Sequence, residues 1–231
     1  MSQSLNELAQ EWLEHYQKFA DTVGKTNLLD PKLVVLIRLI IDVTATHLYA
    51  PGVQQHLQEA LKLGLSRAEI MEVFKLASVV GIHSCALGVP LLEAELRQLN
   101  SADQENNPVQ VVETPICDEL RAQGNFNPLW DTLYRWDPAY LEDFLKMAMH
   151  SWRNKILPPL WVELLCIAGD ATITHIWSPG MQRHMRAALA LGASQEQIME
   201  VLKILSLQGM EAFETGFPIL AQVLETSVNH P

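Results

Sequence analysis

Apolar residues near the start of the chain fall at helical spacing: Leu8, Trp12, Leu13, Tyr16 and Phe19 recur every three or four positions, predicting an amphipathic helix from Leu5 to about Val23. Asp30 followed by Pro31 reads as an N-cap with a first-turn proline, opening a second helix through Leu33, Leu36, Ile37 and Ile40 toward His47. Pro51-Gly52 is expected to interrupt it. A third helix is predicted from about Val53 to Leu63, ending at Gly64, whose missing Cβ permits the left-handed conformation common just past a helix end. Ser66-x-x-Glu69 is a capping-box pattern that starts a fourth helix through Ile70, Val73, Phe74 and Ala77. Beyond Gly81 a short polar loop is expected to lead to Pro90 and a last helix through Leu91, Leu92 and Leu96.

The series then recurs at an offset of 128 residues. Asp42-Val-Thr-Ala-Thr46-His47 reappears as Asp170-Ala-Thr-Ile-Thr174-His175, Pro51-Gly52 as Pro179-Gly180, and His56 as His184. Ile70-Met-Glu-Val73 matches Ile198-Met-Glu-Val201, and the capping box survives as Ser194-x-x-Gln197. The pattern reads as a tandem duplication of one five-helix, all-α unit, with units at 1–97 and 128–231. The intervening 98–127, rich in Asn, Gln, Asp, Glu and Pro, reads as a solvated linker. One such unit has little with which to cover its apolar faces, so the two are expected to pack together about a pseudo-twofold axis.

The repeated segment also holds the candidate chemistry. On a continuous helix Asp42, Thr46 and Tyr49 share a face, as do Asp170, Thr174 and Trp177, forming a polar seam that serves either packing or substrate. Arg38 is a candidate partner for Asp42, but Cys166 stands in the equivalent place, so Asp170 needs another. His56 and His184 sit at the border of an apolar helix face, each nine residues after a second histidine, His47 or His175. Imidazole titrates near neutrality and is the usual general acid or base. No His-x-x-x-His pair fixes two nitrogens on one helical face, so no metal is expected. His83 and its counterpart Glu211 lie near glycines, as solvated loop residues or facing the site. No phosphate-cradling glycine loop, nucleophile elbow or dinucleotide fingerprint is present, leaving cofactor-free chemistry or simple binding.

Composition narrows the partners. Sixteen Lys and Arg against twenty-seven Asp and Glu give a formal net charge of −11, which argues against a nucleic-acid backbone as partner. The longest apolar run, Leu33 to Ile41, is far shorter than the roughly 20 residues of a membrane span, and no signal peptide is evident, so a cytoplasmic, membrane-free protein is expected. Cys85, Cys117 and Cys166 form no Cys-x-x-Cys.

The ordered run His56-Leu-Gln-Glu-Ala60-Leu-Lys-Leu-Gly64-Leu-Ser66-Arg-Ala-Glu69-Ile70 resembles the carboxymuconolactone decarboxylase family, which includes alkyl hydroperoxidase D-like proteins, and the resemblance covers both units. The resemblance implies an all-helical homo-oligomer, here a trimer of fused pairs, and maps His56 and His184 onto the family's active-site histidine. Peroxidase members carry cysteines four and seven residues before it; Gly52 and Tyr49, and Gly180 and Trp177, stand there instead, so disulfide cycling lacks its nucleophile. The family's preceding glutamate is best matched by Glu163, with Val35 nearest in the first unit. The leading expectation is a cofactor-independent lyase or decarboxylase acting on a small carboxylated lactone. His184 is its proton donor or acceptor, Glu163 or Asp170 orients it, and His175, Thr174 and Trp177 meet the substrate. His56, Asp42, His47, Thr46 and Tyr49 are the first unit's equivalents. The alternatives are a non-catalytic helical scaffold or small-molecule binder, and a residual peroxidase dependent on Cys85 or Cys166.

Overall fold

The computed structural model describes residues 4–25, 27–99 and 112–228, which form no strand. The N-terminal half comprises α1 (Leu5–Gly24), α2 (Pro31–Val43), α3 (Ala50–Lys62), α4 (Arg67–Ser78), a 3-10 turn (Val79–Ile82) and α5 (His83–Gln98). Then come α6 (Pro115–Ala122), a 3-10 turn (Pro128–Trp130), α7 (Asp131–Trp136), α8 (Pro138–Ala148), α9 (His150–Arg153), α10 (Pro159–Ala171), α11 (Ser178–Ala190), α12 (Gln195–Leu205), a 3-10 turn (Ser206–Met210) and α13 (Glu211–Val228).

The predicted start signals act as expected. Asp30 Oδ1 accepts from Lys32 N at 2.8 Å with Pro31 in the first turn of α2, and both capping boxes form, at Ser66/Glu69 and Ser194/Gln197. At the centre α2 packs against α10. Both are apolar almost all round, the composition of a helix enclosed by others. Gly169 faces Ile40 across this contact, where a Cβ would meet the Ile40 side chain at an ordinary packing distance of 3.6 Å. Helices α3, α4, α11 and α12 cover this pair and complete one core; a second core joins Ile82 and Ala86 to Cys117, Leu120, Leu133, Leu141 and Leu145.

Several boundaries differ from the sequence reading. α2 stops at Val43, so Thr46, His47 and Tyr49 lie in a turn and share no helix face with Asp42. Thr44 Oγ1 donates to the Ile40 carbonyl at 2.7 Å, one turn back, at the end of the helix. Pro51-Gly52 falls inside the first turn of α3, where a proline is tolerated, and so begins that helix after the break. No loop follows Gly81: the chain continues through the 3-10 turn into α5, which contains Pro90. Of the segment read as a linker, 100–111 lie outside the described residues. Its later part folds as α6, burying Ile116, Cys117 and Leu120 while the buried Glu142 carboxylate accepts from Ile116 N and Cys117 N, both at 3.1 Å. Among the described residues the helical stretch Arg67–Gln98, 32 residues with 22% of its most apolar window buried, is long and apolar enough to cross a membrane by length and composition alone.

Candidate active site

The two turns that follow α2 and α10 meet, Thr46 Oγ1 lying 3.2 Å from Thr174 Oγ1, both on the exposed surface. Each turn closes back on its helix: Tyr49 N donates to the Asp42 carbonyl at 2.8 Å and Trp177 N to the Asp170 carbonyl at 2.7 Å. Closure forces Leu48 and Ile176 to φ of 52° and 45°. For a β-branched residue such as Ile176 that conformation is strained and persists only where the surroundings over-determine it. The turns thus aim His47, Tyr49, His175 and Trp177 toward the junction of the halves.

On the N-terminal side, Asp42 in the last turn of α2 is buried and its Oδ2 lies 2.6 Å from His56 Nδ1 on α3. Gly52 makes this possible, since a Cβ there would come within 2.6 Å of Asp42 Oδ2. Arg38, the partner expected for Asp42, instead lies 3.9 Å from Glu59. His47 Nε2 pairs with Glu211 at the start of α13, and Tyr49 OH reaches Glu214 at 3.5 Å. Burial raises Glu211 from its ordinary value, against the opposing pull of His47.

On the C-terminal side the same histidine takes a different partner. His184 Nδ1 lies 2.7 Å from Glu163 Oε2, and Glu163 Oε1 accepts from Trp152 Nε1, also at 2.7 Å. Burial alone would raise Glu163, but the bonds from His184 and Trp152 hold it below its ordinary value. Asp170, the counterpart of Asp42, is left behind: its Oδ2 is buried with no hydrogen-bond partner, and burial pushes its carboxyl up to about 7. Beside it, His83 from α5 places Nδ1 2.9 Å from His175 Nε2, and its ring stacks on Trp177 at 4.7 Å between centroids. Burial, then the neighbouring His175 and His184, lowers His83 to about 3; burial lowers His175 as well.

The geometry therefore brings each predicted site residue to one of two clusters. Asp42, His56, His47 and Tyr49 gather on one side, Glu163, His184, Asp170, His175 and Trp177 on the other, and Thr46 and Thr174 mark the contact between them. Sequence reading left His83 and Glu211 open between solvent and site; both enter a cluster of the opposite half. Their equivalence at one offset was the only signal available. Trp152, whose counterpart is Gly24, carried none.

A shallow, mostly apolar groove of about 450 Å³ lies along α3, lined by Val43, Leu48, Ala50, Val53, Gln54 and Leu57. A larger one of about 740 Å³ runs along α11 past Met181, Gln182, Met185, Arg186 and Leu189. The paired histidines are absent from both linings. Two of the three thiols are poorly placed for reaction: Cys117 is pushed up to about 12 by burial and the nearby Glu142, and buried Cys166 also lies well above its ordinary value.

Fold and site together define an all-helical protein of the alkyl hydroperoxidase D-like class, with a carboxylate-held histidine in each half. The sequence pattern of the carboxymuconolactone decarboxylase family matches residues 10–84. Comparison with solved structures finds a protein from Burkholderia xenovorans LB400, provisionally described as a gamma-carboxymuconolactone decarboxylase subunit, at 34% identity and a TM-score of 0.86, covering 96% of this chain and 90% of that one. A comparison with curated proteins gives no match. The chain belongs to the carboxymuconolactone decarboxylase family.

Proposed function

We propose that this chain is a cofactor-independent decarboxylase of a small carboxylated lactone, and that its working site is the C-terminal one. The observation that carries the reading is the 2.7 Å contact between His184 Nδ1 and Glu163 Oε2. With Nδ1 committed to the carboxylate, Nε2 is the nitrogen left for substrate, and the half-buried ring is held in one orientation. In the reaction the bond from ring carbon to carboxylate breaks and carbon dioxide leaves. The electron pair delocalises toward the lactone carbonyl as an enolate, and imidazolium Nε2–H of His184 returns a proton to carbon. His175, Thr174 and Trp177 are assigned to the substrate's oxygens and ring. Arg183 and Arg186 add positive charge to this half that suits an anionic substrate; Gln55 and Gln58 stand at the equivalent positions in the other half.

His56 and Asp42 repeat the pair in the N-terminal half, and their site is proposed as secondary. The 128-residue correspondence supports two units of common descent, joined through 98–127. Exposed Leu87, Leu91, Ile219, Leu220 and Leu224 on α5 and α13 support self-association, with a trimer of the chain the preferred form; light scattering on purified protein tests it. The proposed partner is a small molecule, not nucleic acid or membrane.

The direct test is loss of the lactone's ultraviolet absorbance with chelator-treated protein. Turnover is expected to fall to background in the His56→Ala, His184→Ala double variant. Unchanged turnover in that variant, or none by the wild type on a panel of carboxylated lactones, overturns the reading in favour of a non-catalytic binder.

A further inference from the structure

Three groups outside the His184–Glu163 pair converge where the halves meet: His83 at the start of α5, Asp170 in the last turn of α10, and His175 in the turn before α11. His83 Nδ1 and His175 Nε2 are 2.9 Å apart, His83 Nε2 and Asp170 Oδ1 3.9 Å, and one donor atom from each residue fits within 4.8 Å of the others. The 3.9 Å gap is too long for a hydrogen bond. It is near the spacing of about 3.3 Å between two ligands sharing a tetrahedral zinc ion with bonds of about 2.0 Å. Asp170 Oδ2 is buried against Gly180 without a hydrogen-bond partner, and Oδ1 is the oxygen that faces His83, so the carboxylate as a whole lacks a hydrogen bond that would offset its burial. Two imidazoles and a carboxylate are a ligand set for divalent transition metals.

The other half supplies an internal control. Asp42, His47 and Glu211 meet the same distance criterion, but their charges are already matched: Asp42 Oδ2 holds His56, and His47 holds Glu211. In the C-terminal cluster His184 has turned to Glu163, and His83 stands where Glu211 stands in the other half. What remains is two imidazoles beside an orphaned carboxylate. The His83 side chain keeps 18% exposure, an entry path for an ion.

We propose that His83, Asp170 and His175 form a binding site for a divalent transition-metal ion, which ties α5 of one half to the α10–α11 turn of the other. Spacing within one segment does not announce this site, because the third ligand arrives from a distant helix. His175 is common to this site and to the proposed substrate contacts, but His184 and Glu163 supply no ligand, so turnover measured in chelator tests the decarboxylase reading and metal titration tests this one.

The test uses the full chain stripped with chelator, titrated with zinc chloride by calorimetry and with cobalt(II) by visible absorption. One zinc ion per chain is expected, with a cobalt spectrum of nitrogen and oxygen ligation and a zinc-dependent rise in the thermal unfolding midpoint. His83→Gln, His175→Gln and the isosteric Asp170→Asn are each expected to weaken binding by about a hundredfold or more and abolish that rise, while His47→Gln leaves both intact. Circular dichroism checks folding, and Asp170→Asn decides the matter if a histidine variant does not fold. No zinc bound at micromolar concentrations, binding indifferent to His83→Gln and Asp170→Asn, or binding lost in His47→Gln overturns the proposal.

Discussion

The two halves place a histidine at the same point of the same helix and then hold it with different carboxylates. His56 takes Asp42 from the end of α2, whereas His184 takes Glu163, two turns earlier along α10. The reason is visible in what surrounds each. Val35 at the position of Glu163 leaves Asp42 as the acid within reach, and Gly24 at the position of Trp152 offers no indole to hold a glutamate in place. With Glu163 on α10 holding His184, Asp170 is left without a hydrogen-bond partner. Equivalent positions in a repeated pattern need not keep equivalent chemistry.

The sharpest way to break this comparison is to neutralise each carboxylate in turn. Glu163→Gln is expected to lower kcat on the lactone by about a hundredfold or more, the scale of a general acid–base contribution, with Asp42→Asn much milder. The reverse order in steady-state kinetics would move the working site to the N-terminal half.

Next in size is the packing behind each pair. Adding a Cβ at Gly180 drives it into both the Asp170 carboxylate and the Trp177 ring, whereas at Gly52 it meets Asp42 alone. Each alanine variant should cost about 1–3 kcal/mol, with Gly180→Ala the costlier since two side chains must move. Urea unfolding midpoints that rank them the other way would show that the unpartnered Asp170 simply swings aside.

The pH dependence separates the halves more gently. Folded His83 takes its proton only near 3, against 6.5 ordinarily, so the unfolded chain binds the extra proton between those values and stability falls as pH drops through that window. Asp170 acts oppositely, holding its proton up to about 7 against 3.8 ordinarily, so its contribution falls as pH rises. In chelator-treated protein the stability of His83→Gln relative to wild type should therefore increase as pH falls from about 7 toward 4. A difference independent of pH would remove His83 from the buried cluster. The smallest effect is expected at the strained turn. Ile176→Gly should change stability by less than about 1 kcal/mol, because relief of the positive φ offsets the entropy of glycine in the unfolded chain. A larger loss would mean that the exposed Ile176 side chain is packed in solution, as in an oligomer.

How much of this was legible beforehand differs from element to element. Helix starts were readable wherever a side chain caps its own backbone: Asp30, Ser66 and Ser194 act within three residues of themselves. Helix ends were less so. The stop after Val43 is made by a turn that folds back onto the Asp42 carbonyl, and a helical pattern continues straight through it. The histidines of both pairs were named from their place in the repeat, and Glu163 from family resemblance. For Asp42 two partners were open: Arg38, one turn away along the helix, and His56, as the first half's equivalent of the acid that orients His184; the contact formed is with His56.

The sequence by itself determined the all-α class, the recurrence of helices at 128 residues, and the absence of a Cys-x-x-Cys, because periodicity, capping and residue identity are local properties. Tertiary structure alone decided which carboxylate each histidine holds, that Asp170 is left without a partner, and that His83 and Glu211 cross into the opposite half. Those outcomes depend on a few ångströms of approach between helices distant in the chain, and burial then turns small differences of distance into differences of charge.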